Sequence, residues 1–356
     1  MPVVVALSGG VDSSVAAWRL RQAGARVHAV FMKNWADDDE EAACHDKEDL
    51  IAAAAAAEAL SLPFDVVNFA DEYRRRVFEP FLAELRRGRT PNPDVLCNSE
   101  IKFAAFHRFA AEQGAEAVAT GHYARIAQAP EGWRLYKAED SAKDQTYFLH
   151  RLRAAQLAYS LFPLGEHYKT EVRQMARAAA LGNWQRKDST GICFIGERDF
   201  DTFIARYLPP APGEMQDESG RVIGEHRGLQ FYTIGQRRGL GVGGAGEAWF
   251  VAAKEPAHNV LRVVQGEHHP LLYARRVQVE DAQWIAGTPP PARWVYAARL
   301  RHRQPPASCT LAEVGGDTAT IVFAEPQRAA APGQFAVIYD GDLCLGGGVI
   351  SAVHAE

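Results

Sequence analysis

The chain has 356 residues, 47% of them hydrophobic, and a formal net charge of -5. That length and apolar content support two or three domains with a sizeable core, and the acidic balance argues against a protein that holds nucleic acid by bulk electrostatics. No run approaches the roughly 20 uninterrupted apolar residues of a membrane helix, and five scattered cysteines (Cys44, Cys97, Cys193, Cys309, Cys344) without a C-x-x-C pair speak against a disulfide framework or a structural zinc site.

Residues 3–7 are a short apolar, β-branched run, the pattern of a strand buried on both faces. The run breaks into Ser8-Gly9-Gly10-Val11-Asp12-Ser13-Ser14, after which Val15, Trp18 and Leu20 recur at helical intervals up to Gly24, a C-terminal cap. Strand, glycine loop and helix together outline an anion site. The glycines remove Cβ atoms that would hold a ligand off the backbone, and the helix start offers free N–H groups and the positive end of its dipole. No Gly-Lys-Ser/Thr follows, so this is not a Walker A loop, and the spacing is not G-x-G-x-x-G. An ordinary turn is the competing reading; Asp12 and the clustered hydroxyls favour phosphate.

Strands are then expected at 26–32, 64–69 and 117–120, alternating with helices at 48–60, 71–87 and 99–113. The alternation predicts an α/β fold with a doubly wound parallel sheet, ligands lying beyond the carboxyl ends of its strands. Residues 8–14, 32–35 and Gly121-His122 should therefore share one crevice. Thr90-Pro91-Asn92-Pro93-Asp94-Val95-Leu96-Cys97-Asn98 runs extended into a helix expected to begin at Asn98 or Ser99, which puts Cys97 near a helix N-terminus, a setting that favours thiolate. A buried structural cysteine is the alternative there. Asp94 is a candidate general acid or base, with a first-turn helix charge as its plain alternative. Cys193 lies between glycines in Asp188-Ser189-Thr190-Gly191-Ile192-Cys193-Phe194-Ile195-Gly196, a segment with the backbone freedom to admit a bulky group. Cys44-His45-Asp46 reads as a helix start rather than a metal site, and Cys309 and Cys344 as core.

From Pro209 onward glycine and proline rise and short alternating segments appear at 231–234, 249–252, 260–264, 275–279, 295–300, 318–323 and 335–339. These predict a small central mixed β domain followed by a C-terminal β-barrel, with boundaries at 1–200, 201–270 and 271–356. Without a signal peptide pattern at the amino terminus, a cytoplasmic location is expected.

SGGVDSS is similar to the pyrophosphate loop of the N-type ATP pyrophosphatases, which cleave ATP between the α- and β-phosphates and leave AMP on a substrate oxygen. Taken in order along essentially the whole chain, SGGVDSS, TPNPDVLCNSEIKF, ATGHYAR, KDQTYFL, DSTGICFIGER, FYTIGQRRGLG, PGQFAV and CLGGGVI resemble the tRNA-specific 2-thiouridylase family. The resemblance implies an enzyme that replaces O2 of the wobble uridine, in Lys-, Glu- or Gln-type anticodons, with sulfur. Its implied cosubstrate is ATP with Mg2+, and its sulfur source a persulfide handed over by a relay protein or cysteine desulfurase.

By motif position, the nucleotide would contact Ala6, Leu7, Ser8, Gly9, Gly10, Val11, Asp12 and Ser13, with Met32 near the adenine, Gly121 in the same pocket, and Asp12 toward magnesium. Cys193 would carry the persulfide and Cys97 would assist its release by forming a disulfide with Cys193. The target base would meet Asn92, Pro93 and Asp94, with His122 nearby, and the tRNA would reach Lys143, Asp144, Gln145, Arg301, His302 and Gln334. No dedicated set of metal-ligating side chains is implied. Arginine clusters such as Arg74-Arg75-Arg76 and Arg299-Leu300-Arg301-His302-Arg303 are either a basic path for tRNA or solvated surface. Two rival functions fit the loop alone: another adenylating enzyme, such as a tRNA lysidine or amide synthetase, which would not need the two cysteines, and a nucleotide-regulated RNA-binding protein, which would release no pyrophosphate.

Overall fold

The computed structural model describes residues 2–35, 40–187, 199–292 and 294–355, with backbone only for 40–46. Cys193 and its glycine-flanked motif, and the side chain of Cys44, lie outside the described residues.

The first unit comprises β1 (Pro2–Ala6), α1 (Val11–Gln22), β2 (Arg26–Lys33), α2 (Glu40–Ala59), β3 (Phe64–Asn68), two long helical runs α3 (70–86) and α4 (93–112), β4 (Ala117–Ala119), a hairpin of β5 (Arg125–Ala129) and β6 (Gly132–Tyr136), β7 (Ser160–Leu161) and α5 (Lys169–Ala178). Its sheet has the order β3-β2-β1-β4-β7, with every pairing parallel. The period of two along β1 divides the core. Val3 and Val5 face Val15, Ala16 and Ala57 on one side, and Val4 and Ala6 face Phe78, Phe81 and Phe106 on the other. Helices thus cover both faces, as the alternating sequence requires.

The middle unit is a mixed sheet of β8 (Gly213–Gln216), β9 (Val222–His226), β10 (Trp249–Glu255) and β11 (Val260–Gln265) in the order β10-β11-β8-β9, built over Met215, Leu261 and Val263. The last unit is a closed six-stranded barrel of β12 (Tyr273–Trp284), β13 (Val295–Arg299), β14 (Ala307–Ala312), β15 (Ala319–Arg328), β16 (Phe335–Asp340) and β17 (Leu343–His354). It closes because β12 pairs with both β15 and β17, which removes the exposed edges of an open sheet.

Three local expectations are corrected. The segment expected as a strand at 231–234 contains the end of a short 3-10 turn, Leu229–Phe231, instead of a ladder. The helix expected from residue 98 or 99 starts earlier, because Asn92 caps it through a bond from the Asp94 N–H (3.2 Å) and Pro93 takes the first helical position. The hairpin β5–β6 was not anticipated, although Ala129-Pro130-Glu131-Gly132 carries turn chemistry. That hairpin adds to the barrel sheet through Leu343 opposite Tyr136 and Cys344 opposite Leu135, so the first and last units share one ladder. Among the described residues no helix is long and apolar enough to cross a membrane.

Candidate active site

Two helix starts, those of α1 and α4, lie at the carboxyl edge of the sheet, because a helix connecting parallel strands runs back against them. The glycine loop leads from β1 into α1. Gly9 has a φ of +76°, and a Cβ built on it would lie 2.5 Å from the Asp49 carbonyl oxygen, so this crossing of loop and α2 needs glycine. The loop is braced from within. Ser13 Oγ accepts the Ser8 N–H (3.2 Å) and donates to the Gly10 carbonyl (3.1 Å), which Ser14 Oγ also reaches at 2.9 Å. Asn183 donates to Gly9 O and to Ser14 Oγ, both at 2.9 Å, and Arg186, itself paired with Asp49, donates to Gly9 O at 3.2 Å.

Asp12, in the first turn of α1, accepts from Lys169 Nζ with both carboxylate oxygens (2.7 and 2.8 Å) and from the Tyr123 hydroxyl at 2.8 Å. Tyr123 is fixed by Gln145, whose Oε1 accepts the Tyr123 N–H and whose own N–H donates to the Tyr123 carbonyl, each at 2.9 Å. Gly121 presses on the same turn: a Cβ there would lie 2.7 Å from Ser13 N. Met32 lies near the end of β2, the neighbour of β1, and packs half-buried against the side of the core that holds Phe78 and Phe106. The structure therefore brings the 8–13 loop and Gly121 together, with Met32 on the adjoining strand.

Cys97 is 1% exposed and stands one turn inside α4, where the helix widens into π-type turns over Cys97–Ala105, a distortion common at functional sites. Its amide bonds to the Pro93 and Asp94 carbonyls, so it stands near the helix N-terminus, at the end of the first turn instead of just ahead of the helix. Asp94 is the residue within that first turn.

The residues expected at tRNA divide. Asp144 is 1% exposed and its carboxylate pairs with Arg299 of the barrel (2.9 Å) while accepting from Thr146 Oγ1 and the Ala138 N–H. Its carboxylate faces the interior. Lys143, Arg301, His302 and Gln334 are half-buried, each with part of its surface open to solvent. Arg301 Nη2 donates to the Ile234 and Ala329 carbonyls, both at 2.8 Å, so this arginine also joins the middle unit to the barrel. Gln334 Nε2 donates to the Thr90 carbonyl at 2.7 Å. His122 is nearly buried beside Phe103 and Phe162, with Nδ1 2.7 Å from Thr120 Oγ1; burial, reinforced by Lys102, holds its pKa well below the usual histidine value, so the ring is neutral at pH 7. Lys169, Asn183 and Arg186 were not found from sequence. No spacing or glycine pattern marks them, since they act on the loop from distant segments.

Among the described residues no group of three or more His, Cys, Asp or Glu side chains is gathered for a metal. The site instead offers one carboxylate, Asp12, beside a backbone cradle, which suits a magnesium ion that shares phosphate oxygens.

A loop of this shape, at the carboxyl edge of a doubly wound sheet and without a Walker lysine, defines an ATP-pyrophosphatase type of α/β enzyme, here extended by a mixed sheet and a barrel. Comparison with known proteins narrows the class. Family profiles match residues 1–197 (tRNA methyl transferase HUP domain), 201–265 (tRNA methyl transferase PRC-barrel domain) and 274–350 (aminomethyltransferase beta-barrel domain). The chain is 54% identical over 353 residues to the tRNA-specific 2-thiouridylase MnmA of Cupriavidus metallidurans, covering 98% of both proteins. It is 54% identical over 361 residues to that of Bordetella pertussis, covering 98% of this chain and 97% of the relative. With the Methylobacillus flagellatus protein it shares 52% over 354 residues and 98% of each chain. The chain belongs to the tRNA-specific 2-thiouridylase family.

Proposed function

We propose that the protein, a tRNA sulfurtransferase by family, adenylates O2 of the wobble uridine with ATP and then places a persulfide sulfur on C2. A uracil carbonyl oxygen is a poor leaving group, so the chemistry begins by turning it into the oxygen of AMP. O2 attacks the α-phosphorus and pyrophosphate leaves. The terminal sulfur of a persulfide on Cys193 attacks C2, and AMP departs with the old oxygen. Cys97 thiolate then attacks Cys193 Sγ; the sulfur–sulfur bond breaks, the base keeps the outer sulfur as its thiocarbonyl, and the resulting Cys97–Cys193 disulfide is reduced by a thiol.

Asp12 would hold the Mg2+ that accompanies the triphosphate, an ion that neutralises phosphate charge when bound. Lys169 and Tyr123 orient that carboxylate, and the loop N–H groups receive the phosphates. Asp94 orients the base or moves its proton, with Asn92 and Pro93 beside it and His122 as a neutral neighbour. The tRNA runs over Lys143, Gln145, Arg301, His302 and Gln334, its phosphates drawn by local arginines within an acidic chain. The work divides at 1–200 for adenylation and sulfur chemistry, 201–270 for the connection and 271–356 for the tRNA. A relay protein or cysteine desulfurase supplies the persulfide, and the need for a thiol reductant fits a cytoplasmic enzyme.

The observation that supports this reading is that a chain of this family carries both a braced glycine loop and a capped helix bearing Asp94 and Cys97. Mass spectrometry of nucleosides from tRNA incubated with the protein, ATP, Mg2+ and a protein persulfide donor tests it. The expected product is 2-thiouridine with one pyrophosphate per base. Pyrophosphate with a different modified base would favour another adenylating enzyme, and ATP binding without pyrophosphate would favour a non-catalytic RNA-binding protein.

A further inference from the structure

Thr90 stands two residues before Asn92, the cap of α4, and each of its polar groups is taken by another unit of the fold. Its N–H donates to the Pro332 carbonyl (2.8 Å) and its carbonyl accepts from Gln334 Nε2 (2.7 Å), both in the barrel. Its hydroxyl accepts from Lys254 Nζ (3.2 Å), on β10 of the middle unit. The residues around it are gripped as well. Arg89 pairs with Glu280 of β12, a Cβ on Gly88 would lie 2.5 Å from Pro256 Cγ, and a Cβ on Gly333 would lie 2.8 Å from Thr90 N. Three units therefore meet at residues 88–90.

An ammonium gives up hydration only at a cost. Lys254 is withdrawn from water far enough that burial lowers its pKa to about 8, and the hydrogen bond it makes there is to the Thr90 hydroxyl. Beyond Thr90 comes Pro91-Asn92-Pro93, in which two prolines fix φ near -65°. A shift at Thr90 is thus passed along to Asp94 and Cys97 instead of being absorbed by the chain.

We propose that Lys254 is a positioning residue for the reaction: by fixing Thr90 from the middle unit, it sets where Asp94 and Cys97 stand against the target base. The proposal rests on the reading above in which those two residues serve the base. Lys254 acts through Thr90 and touches neither the base nor the nucleotide.

The test compares Lys254→Met, Thr90→Val, Thr90→Ser and the double variant Lys254→Met/Thr90→Val in the full-length protein. Four quantities are measured: the single-turnover rate of 2-thiouridine formation at saturating tRNA, the tRNA Kd, the affinity for a non-hydrolysable ATP analogue, and Tm. Lys254→Met and Thr90→Val are each expected to slow the single-turnover rate about tenfold, with both affinities within about twofold and little change in Tm. Thr90→Ser, which keeps the hydroxyl, restores the rate, and the double variant is no slower than either single one, because both remove the same contact. An unchanged rate in Lys254→Met overturns the proposal. So does a tRNA Kd that weakens in step with the rate, which would make Lys254 an RNA contact, or a joint fall in Tm and ATP affinity, which would make it purely structural. Asp94→Ala run alongside separates the two levels: if it thiolates at the wild-type rate, the reading of the base loop has failed, and not only the role of Lys254.

Discussion

The hydroxyl of Tyr123 donates to the carboxylate of Asp12 at 2.8 Å, tying the segment beyond β4 to the first turn of α1. Lys169 completes the hold with bonds to both carboxylate oxygens, so the acid of the glycine loop is oriented from two other segments of the chain. Tyr123→Phe removes one neutral-donor hydrogen bond, a loss of about 1 kcal/mol, and should weaken ATP-analogue binding about fivefold. Lys169→Met removes a charge-assisted pair and should weaken it more than tenfold. Titration calorimetry checks both, with tRNA affinity expected within about twofold because the RNA surface is a separate element.

Gly9, within the loop, meets α2, and Gly121 meets the loop's own turn at Asp12 and Ser13. Gly9→Ala must place a Cβ 2.5 Å from a carbonyl oxygen at a left-handed φ, and Gly121→Ala must place one 2.7 Å from the Ser13 amide. Both contacts are with backbone, which does not swing aside as a side chain would. Each variant should fold, lose nucleotide affinity by more than about tenfold and still bind tRNA; pyrophosphate release and filter binding report the two properties independently.

Asp144 and Arg299 form a buried ion pair between the first unit and the barrel. Removing one partner leaves the other charge without compensation in the interior, so Asp144→Ala should lower stability by about 3–5 kcal/mol. Urea denaturation measures the loss. The slope of tRNA affinity against salt should stay as in the wild type, since this carboxylate faces no phosphate.

Buried histidines make stability depend on pH, and His107, His122 and His150 show it most strongly. Burial lowers the pKa of His107 to about 4 and of His150 to about 3, and holds that of His122 well below its ordinary value. In the unfolded chain all three titrate near 6.5. Between roughly pH 4 and 6.5 the unfolded state therefore binds more protons than the folded state, and stability falls as pH falls, by up to about 1.4 kcal/mol per histidine per pH unit. The urea midpoint should drop clearly from pH 7 to pH 5, and His107→Gln or His150→Gln should make that drop shallower.

The α/β unit was legible because β1 is apolar on both faces and its glycine loop has few structural uses other than an anion cradle. The barrel was legible from alternation, though not its shared ladder with β6, since pairing between strands more than 200 residues apart leaves no local pattern. Helix α4 begins earlier than the two prolines suggest, because Asn92 ahead of Pro93 makes that proline a first helical residue. The motif Lys143-Asp144-Gln145 looked like a single polar RNA contact. In three dimensions its side chains also hold the fold together, Asp144 in a buried pair with Arg299 and Gln145 accepting the Tyr123 N–H behind the nucleotide loop. Sequence marks polarity, whereas burial depends on which distant charge arrives opposite.

The central claim is a division of labour, in which the loop activates the base and the cysteines deliver sulfur. Its most direct test is nucleoside mass spectrometry with parallel pyrophosphate measurement on Asp12→Ala and Cys97→Ser, each supplied with tRNA, ATP, Mg2+ and a protein persulfide donor. The account predicts that Asp12→Ala yields neither pyrophosphate nor 2-thiouridine, and that Cys97→Ser yields tRNA-dependent pyrophosphate without 2-thiouridine. Wild-type amounts of 2-thiouridine from either variant would contradict it.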